Sequence, residues 1–120
     1  TDRPYWECAD GSVITAGSVV VAQNPGGEDH AWIYMGEFDS RNDVISYLKY
    51  IGVSEKFINS KTVGDGKGAG GKHWRIESSG SEGVVINNKT DGKTATAMNM
   101  SAFRITKNDV KFEITIILII

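Results

Sequence analysis

Gly17-Ser18-Val19-Val20-Val21-Ala22-Gln23-Asn24-Pro25-Gly26-Gly27-Glu28-Asp29-His30-Ala31-Trp32-Ile33-Tyr34-Met35-Gly36 is the stretch from which the fold is read. Ser18 to Ala22 is a β-branched apolar run of the kind that forms a buried or half-buried strand. Asn24-Pro25-Gly26-Gly27 is turn chemistry, because proline presets φ and glycine supplies positive φ without steric cost. His30 to Met35 then alternates. His30, Trp32 and Tyr34 point one way and Ala31, Ile33 and Met35 the other, since strand side chains have period two. A histidine that opens a strand after a Gly-rich turn sits at a rim, where water and ligands can reach it.

Outward from this hairpin the pattern changes period. Ser40 is a good helix N-cap, with Asp43 three residues on as a short capping-box acid. Val44, Ile45, Leu48 and Ile51 fall at helical spacing, and Gly52 fits the C′ position. Residues 60–72 are rich in Gly and Lys and read as a mobile loop. Strands are expected at about 73–79, 83–88 and 101–106, with a turn at Lys89-Thr90-Asp91-Gly92-Lys93. Residues 110–120 alternate and then become continuously apolar, as in a strand buried on both faces. The expected class is α+β: one clear helix on a curled, mostly antiparallel sheet of about five to six strands.

A chain of 120 residues makes one domain, residues 1–120, able to bury its own core. With 13 basic and 15 acidic residues and no basic run, it has no electrostatic footprint for nucleic acid or an anionic membrane. No apolar stretch reaches the roughly 18 residues of a membrane span, so no membrane partner is expected. One cysteine excludes an internal disulfide framework. The start at Thr1 fits either a mature secreted form or a piece of something longer. Oligomeric state is left open.

The hairpin has a familiar form. Gly-Ser-Val-Val-Val followed by Asp29-His30-Ala31-Trp32-Ile33-Tyr34-Met35-Gly36 resembles the central hairpin of the NlpC-type cysteine peptidases and their CHAP relatives, which have a papain-like core. His73-Trp74-Arg75-Ile76-Glu77-Ser78-Ser79-Gly80-Ser81-Glu82-Gly83-Val84-Val85-Ile86 resembles the family's next strand pair, and Ser101-Ala102-Phe103-Arg104-Ile105 its closing strand. The order of the three blocks carries the resemblance. It implies a cysteine peptidase or amidase acting on peptide amides of peptidoglycan, secreted or cell-wall associated, with no cofactor.

By the same resemblance His30 is the catalytic base and Glu77, at the matching strand position, orients it. A carboxylate there would hold the imidazole's tautomer well. His73, of the same strand parity as Glu77, is the other candidate for that role. Trp32, Tyr34, His73 and Trp74 are candidates for the walls of a substrate cleft, although aromatic strand residues are also common in cores. The nucleophile would be Cys8, whose thiol needs a neighbouring imidazole to ionise. Here the chain departs from the family, in which the cysteine opens a helix well before the hairpin. Cys8 lies nine residues before Gly17 and is followed by the turn residues Asp10-Gly11. Three readings stay open: Cys8 recruited from an unusual place, a nucleophile upstream of Thr1, or a non-catalytic binding or structural module. Residues 37–72 replace a short family connection and could form a lid or a substrate wall.

Other motifs carry less. Gly66-Lys67-Gly68-Ala69-Gly70-Gly71-Lys72-His73 has P-loop spacing but ends in His, and neither a preceding strand nor a following helix flanks it. No pairing of Cys8, His30 and His73 has metal-ligand spacing, so no metal is expected. Asn88-Lys89-Thr90 and Asn99-Met100-Ser101 are glycosylation sequons.

Overall fold

A computed structural model describes residues 6–8, 12–23, 30–89 and 99–103, with backbone alone at 23 and 99–103. Strands β1 (Val19–Gln23), β2 (His30–Glu37), β3 (His73–Ser79), β4 (Gly83–Asn87) and β5 (Asn99–Phe103) and helix α1 (Arg41–Tyr50) make an α+β fold. The strands form one open sheet in the order β4-β3-β2-β1-β5, and every neighbouring pair is antiparallel. The expected turns at 24–27 and 89–93 and the expected strand at 110–120 lie wholly or largely outside the described residues.

Each face of the sheet has its own cover. Ile33, Met35, Trp74, Ile76 and Ile86 face α1, whose Val44 and Leu48 are fully buried against them together with Val53 and Val63. Val20, Ala22, Trp32 and Tyr34 face the opposite way and are covered by Trp6, Cys8 and Ile14. That cover is a short arm folded on itself: Glu7 bridges Val13, and the Ile14 amide donates to Trp6 O at 2.7 Å. Strand parity makes the division, since residues two apart share a face.

Helix α1 begins where its cap chemistry says it should. Ser40 is extended, and its hydroxyl accepts from the Asp43 amide at 3.2 Å. At the other end Gly52 takes φ 92°, and the amides of Gly52 and Val53 donate back to Lys49 O and Leu48 O. These two crossed bonds form a Schellman motif, which satisfies the last carbonyls and turns the chain away.

The reading of residues 60–72 as mobile is corrected. The segment is stitched to β4 by a parallel bridge, Val63 to Ile86, and by a central side chain, Asn88. Asn88 is 2% exposed. Its amide nitrogen donates to Gly66 O at 2.9 Å and Gly71 O at 2.7 Å, while its Oδ1 accepts from the Gly68 amide at 2.9 Å. The loop folds around one buried amide, which supplies the hydrogen bonds a strand would otherwise provide. Gly68 must be glycine, since a Cβ there would lie 2.6 Å from Asn88 O. Arg41 fastens the same loop to α1 by donating to Gly64 O at 3.1 Å.

Candidate active site

His30 and Glu77 meet across the β2–β3 pair. Trp32 pairs with Glu77 in the register, so His30 is Glu77's diagonal neighbour on the same face, within reach of a long side chain. His30 Nε2 lies 2.8 Å from Glu77 Oε2, with the His30 side chain 30% exposed and Glu77 11%. A carboxylate oxygen only accepts, so the contact places a proton on Nε2 and leaves Nδ1 as the basic nitrogen of the neutral ring.

Two further side chains hold the carboxylate. Arg75, on the same face of β3, brings Nη2 to 3.2 Å from Oε2 and 3.4 Å from Oε1 of Glu77. Asn87 on β4 donates to Oε1 at 3.0 Å. The Arg75 guanidinium is nearly buried and stands 4.8 Å from the Trp32 ring centroid. A charge this deep is tolerated when it is paired and hydrogen-bonded, and the aromatic face adds a cation–π contact. Sequence reasoning passed over Arg75 and Asn87. The signal was present for Arg75, because His73, Arg75 and Glu77 put polar groups on one parity while Trp74 and Ile76 are apolar. Asn87 had none.

Cys8 belongs to the arm. Its amide donates to Ser12 O at 2.8 Å, and its side chain, 5% exposed, packs in the cluster that includes Ala22, Trp32 and Tyr34. Ala22 is the β1 partner of His30, so the thiol is on the same side of the sheet as the His30–Glu77 pair. Cys8 follows the bridge residue Glu7, and the one helix among the described residues starts at Arg41, so no described helix places its dipole on the thiol. The thiol is buried between the arm that carries it and the sheet.

The candidate wall residues have other places. Trp74 is 1% exposed on the face opposite His30, where its ring packs beside Gly66; it is a core residue, because its parity is opposite to that of His73. Trp32 is 2% exposed and Tyr34 5%, both beneath the arm. His73 forms a second cluster with Tyr34, Glu37 and Trp6. The Tyr34 hydroxyl is 2.5 Å from His73 Nδ1, Glu37 Oε1 is 3.4 Å from Nε2, and the Trp6 ring stacks on the imidazole at 3.7 Å. Burial holds the His73 pKa below its ordinary value, against an opposing pull from the Glu37 charge. Burial, and then Glu37, push the Tyr34 hydroxyl up to about 12. Both shifts favour neutral groups, with the Tyr34 hydroxyl donating to Nδ1. A register shift between Tyr34 and Gly36 makes the cluster possible, since it pairs Glu37 with His73 and so returns Glu37 to the face of Tyr34. Strand periodicity alone does not locate that bulge.

Segment 37–72 divides by role. Helix α1 covers the face away from His30, so it is no lid. Ser60, Lys61, Thr62 and Asp65 instead border a cavity of about 420 Å³ whose other walls include Glu77, Asn87, Glu82 and Lys89. Among the described residues no three His, Cys, Asp or Glu side chains converge as a metal site, and no helix is long and apolar enough to cross a membrane. Comparison with family models, with curated proteins and with solved structures finds no match.

Proposed function

We propose that this chain is a cysteine-type hydrolase of peptide amide bonds, with His30 as base, Glu77 as its orienting group and Cys8 as nucleophile. The observation that carries the reading is the 2.8 Å contact of His30 Nε2 with the Glu77 carboxylate, the pair of base and orienting group that such a mechanism needs. In this mechanism the Cys8 thiol gives its proton to His30 Nδ1, and the thiolate adds to the substrate carbonyl carbon. The imidazolium then protonates the departing amine as the C–N bond breaks. Water, losing a proton to His30, hydrolyses the thioester and frees Cys8. A papain-like core, a peptidoglycan peptide as substrate and a secreted or cell-wall setting come with this reading through the resemblance of the three strand blocks.

A second reading is a binding or structural module of the same half-sheet, favoured by the 5% exposure of Cys8. Alkylation of Cys8 by iodoacetamide at neutral pH separates the two. The hydrolase reading expects Cys8 in the wild type to react faster than a model thiol. It also expects His30→Ala and Glu77→Ala each to slow the reaction by about tenfold or more, the scale of positioned acid–base help. A Cys8 that reacts as slowly in the wild type as in both variants assigns the chain to the binding class, or places the nucleophile on another part of a longer protein. With a reactive thiol, release of peptide fragments from purified peptidoglycan tests the substrate.

A further inference from the structure

Glu77 has an alternative to His30. It borders the cavity of about 420 Å³, and a glutamate has three rotatable bonds with which to swing into that space and its water. What opposes the swing is a pair of donors already on the carboxylate, Arg75 beside it on β3 and Asn87, which itself borders the cavity. Arg75 Nη2 spans both oxygens, at 3.2 and 3.4 Å, and Asn87 Nδ2 takes Oε1 at 3.0 Å. Neither donor is loose. Arg75 is 3% exposed and sits 4.8 Å from the Trp32 ring centroid. Asn87 is 6% exposed, and its Oδ1 accepts from the Lys89 amide at 3.0 Å, which fixes which end of the amide faces Glu77.

We infer that Arg75 and Asn87 are positioning residues of the candidate site: together they lock the Glu77 carboxylate on His30 Nε2. Trp32 acts one step further back, as the surface on which Arg75 rests. The inference builds on the reading of His30 as base, but concerns the His30–Glu77 contact, which exists whether or not Cys8 reacts. A lysine at position 75 keeps the charge yet lacks the planar guanidinium that rests on the Trp32 ring, so it holds the carboxylate less firmly.

The test reads the contact directly. In the full ¹⁵N-labelled chain, the His30 Nε2–H proton is followed by NMR and its exchange with water measured, with Glu77→Ala as the reference for a lost contact. The Trp74 indole N–H, on the opposite face, reports the fold. The wild type is expected to show a protected His30 proton. Arg75→Met should exchange it at least about tenfold faster, Arg75→Lys should fall between, and Asn87→Ala should speed it by less, with the Trp74 signal unchanged. Wild-type protection in a folded Arg75→Met chain overturns the inference. If Arg75→Met fails to fold, Asn87→Ala decides, and unchanged protection there overturns it too. Failure of both variants to fold assigns the cluster to stability alone and also overturns it. No protected His30 proton even in the wild type removes the contact itself, and with it the hydrolase reading; a protected proton indifferent to Arg75 and Asn87 overturns only the inference.

Discussion

At the scale of single residues, two buried amide side chains organise much of the chemistry. Asn87 holds a carboxylate in the candidate site, and its sequence neighbour Asn88 holds a loop on the other side of β4. The Asn88 amide nitrogen is committed to Gly66 O and Gly71 O inside the fold, so the Asn88-Lys89-Thr90 sequon cannot carry a glycan on the folded chain. Asn88→Ala removes donor and acceptor together and strands buried loop groups. It should cost about 3 kcal/mol in denaturant unfolding, since each unsatisfied buried polar group costs about 1–3 kcal/mol. Asn88→Asp should cost more, because it sets a negative charge against the same two carbonyls. An Asn88→Ala chain as stable as the wild type would show that the loop does not depend on this side chain.

At the scale of elements, caps and parity explain most of what is seen. Ser40→Ala removes the hydroxyl that accepts from the Asp43 amide, and should lower stability by about 1 kcal/mol, read as a shift of the unfolding midpoint with unchanged slope. Gly36 marks the element that breaks the pattern. It follows the register shift in β2 with φ 109°, a left-handed conformation that glycine takes without strain. A Cβ there would also meet the Ala16 side chain at 3.1 Å. Gly36→Ala should therefore destabilise β2 by about 1–2 kcal/mol. It should also weaken the pairing of Glu37 with His73, seen as a changed His73 ring signal in NMR; an unaltered His73 signal in a folded variant would uncouple the bulge from the cluster.

At the scale of the whole molecule, the sheet is the middle of three layers, and its two faces respond to pH differently. The α1 face is apolar, whereas the arm face holds His73 and Tyr34. His73 has a lowered pKa in the fold, so the unfolded chain binds that proton more readily. Its contribution to stability is complete above the ordinary value of 6.5 and shrinks as pH falls below it. Tyr34 works from the alkaline side. Ionising near 10 in the unfolded chain and about 12 in the fold, it withdraws support as pH rises from 10 toward 12. Thermal unfolding should therefore show a loss below about pH 6.5 that His73→Gln reduces, and a loss above pH 10 that Tyr34→Phe reduces. Loss curves identical in wild type and variants would assign both transitions to other groups.

The legible part of this protein was local. Period-two alternation located β2, and Ser40 with Gly52 bounded the helix, because those signals depend on neighbours in the chain. Parity put His30 and Glu77 on available faces, and the resemblance paired them. Register and packing supplied the rest. Whether Glu77 reached His30, whether Arg75 spanned both oxygens and whether Trp74 lay under the helix depended on which strands became neighbours and how they were offset. The Gly-rich loop shows the limit most plainly. Its composition reads as mobility, since glycine has the most backbone freedom to lose. A single amide from a distant strand end supplies hydrogen bonds enough to fix it, and sequence distance conceals such a partner.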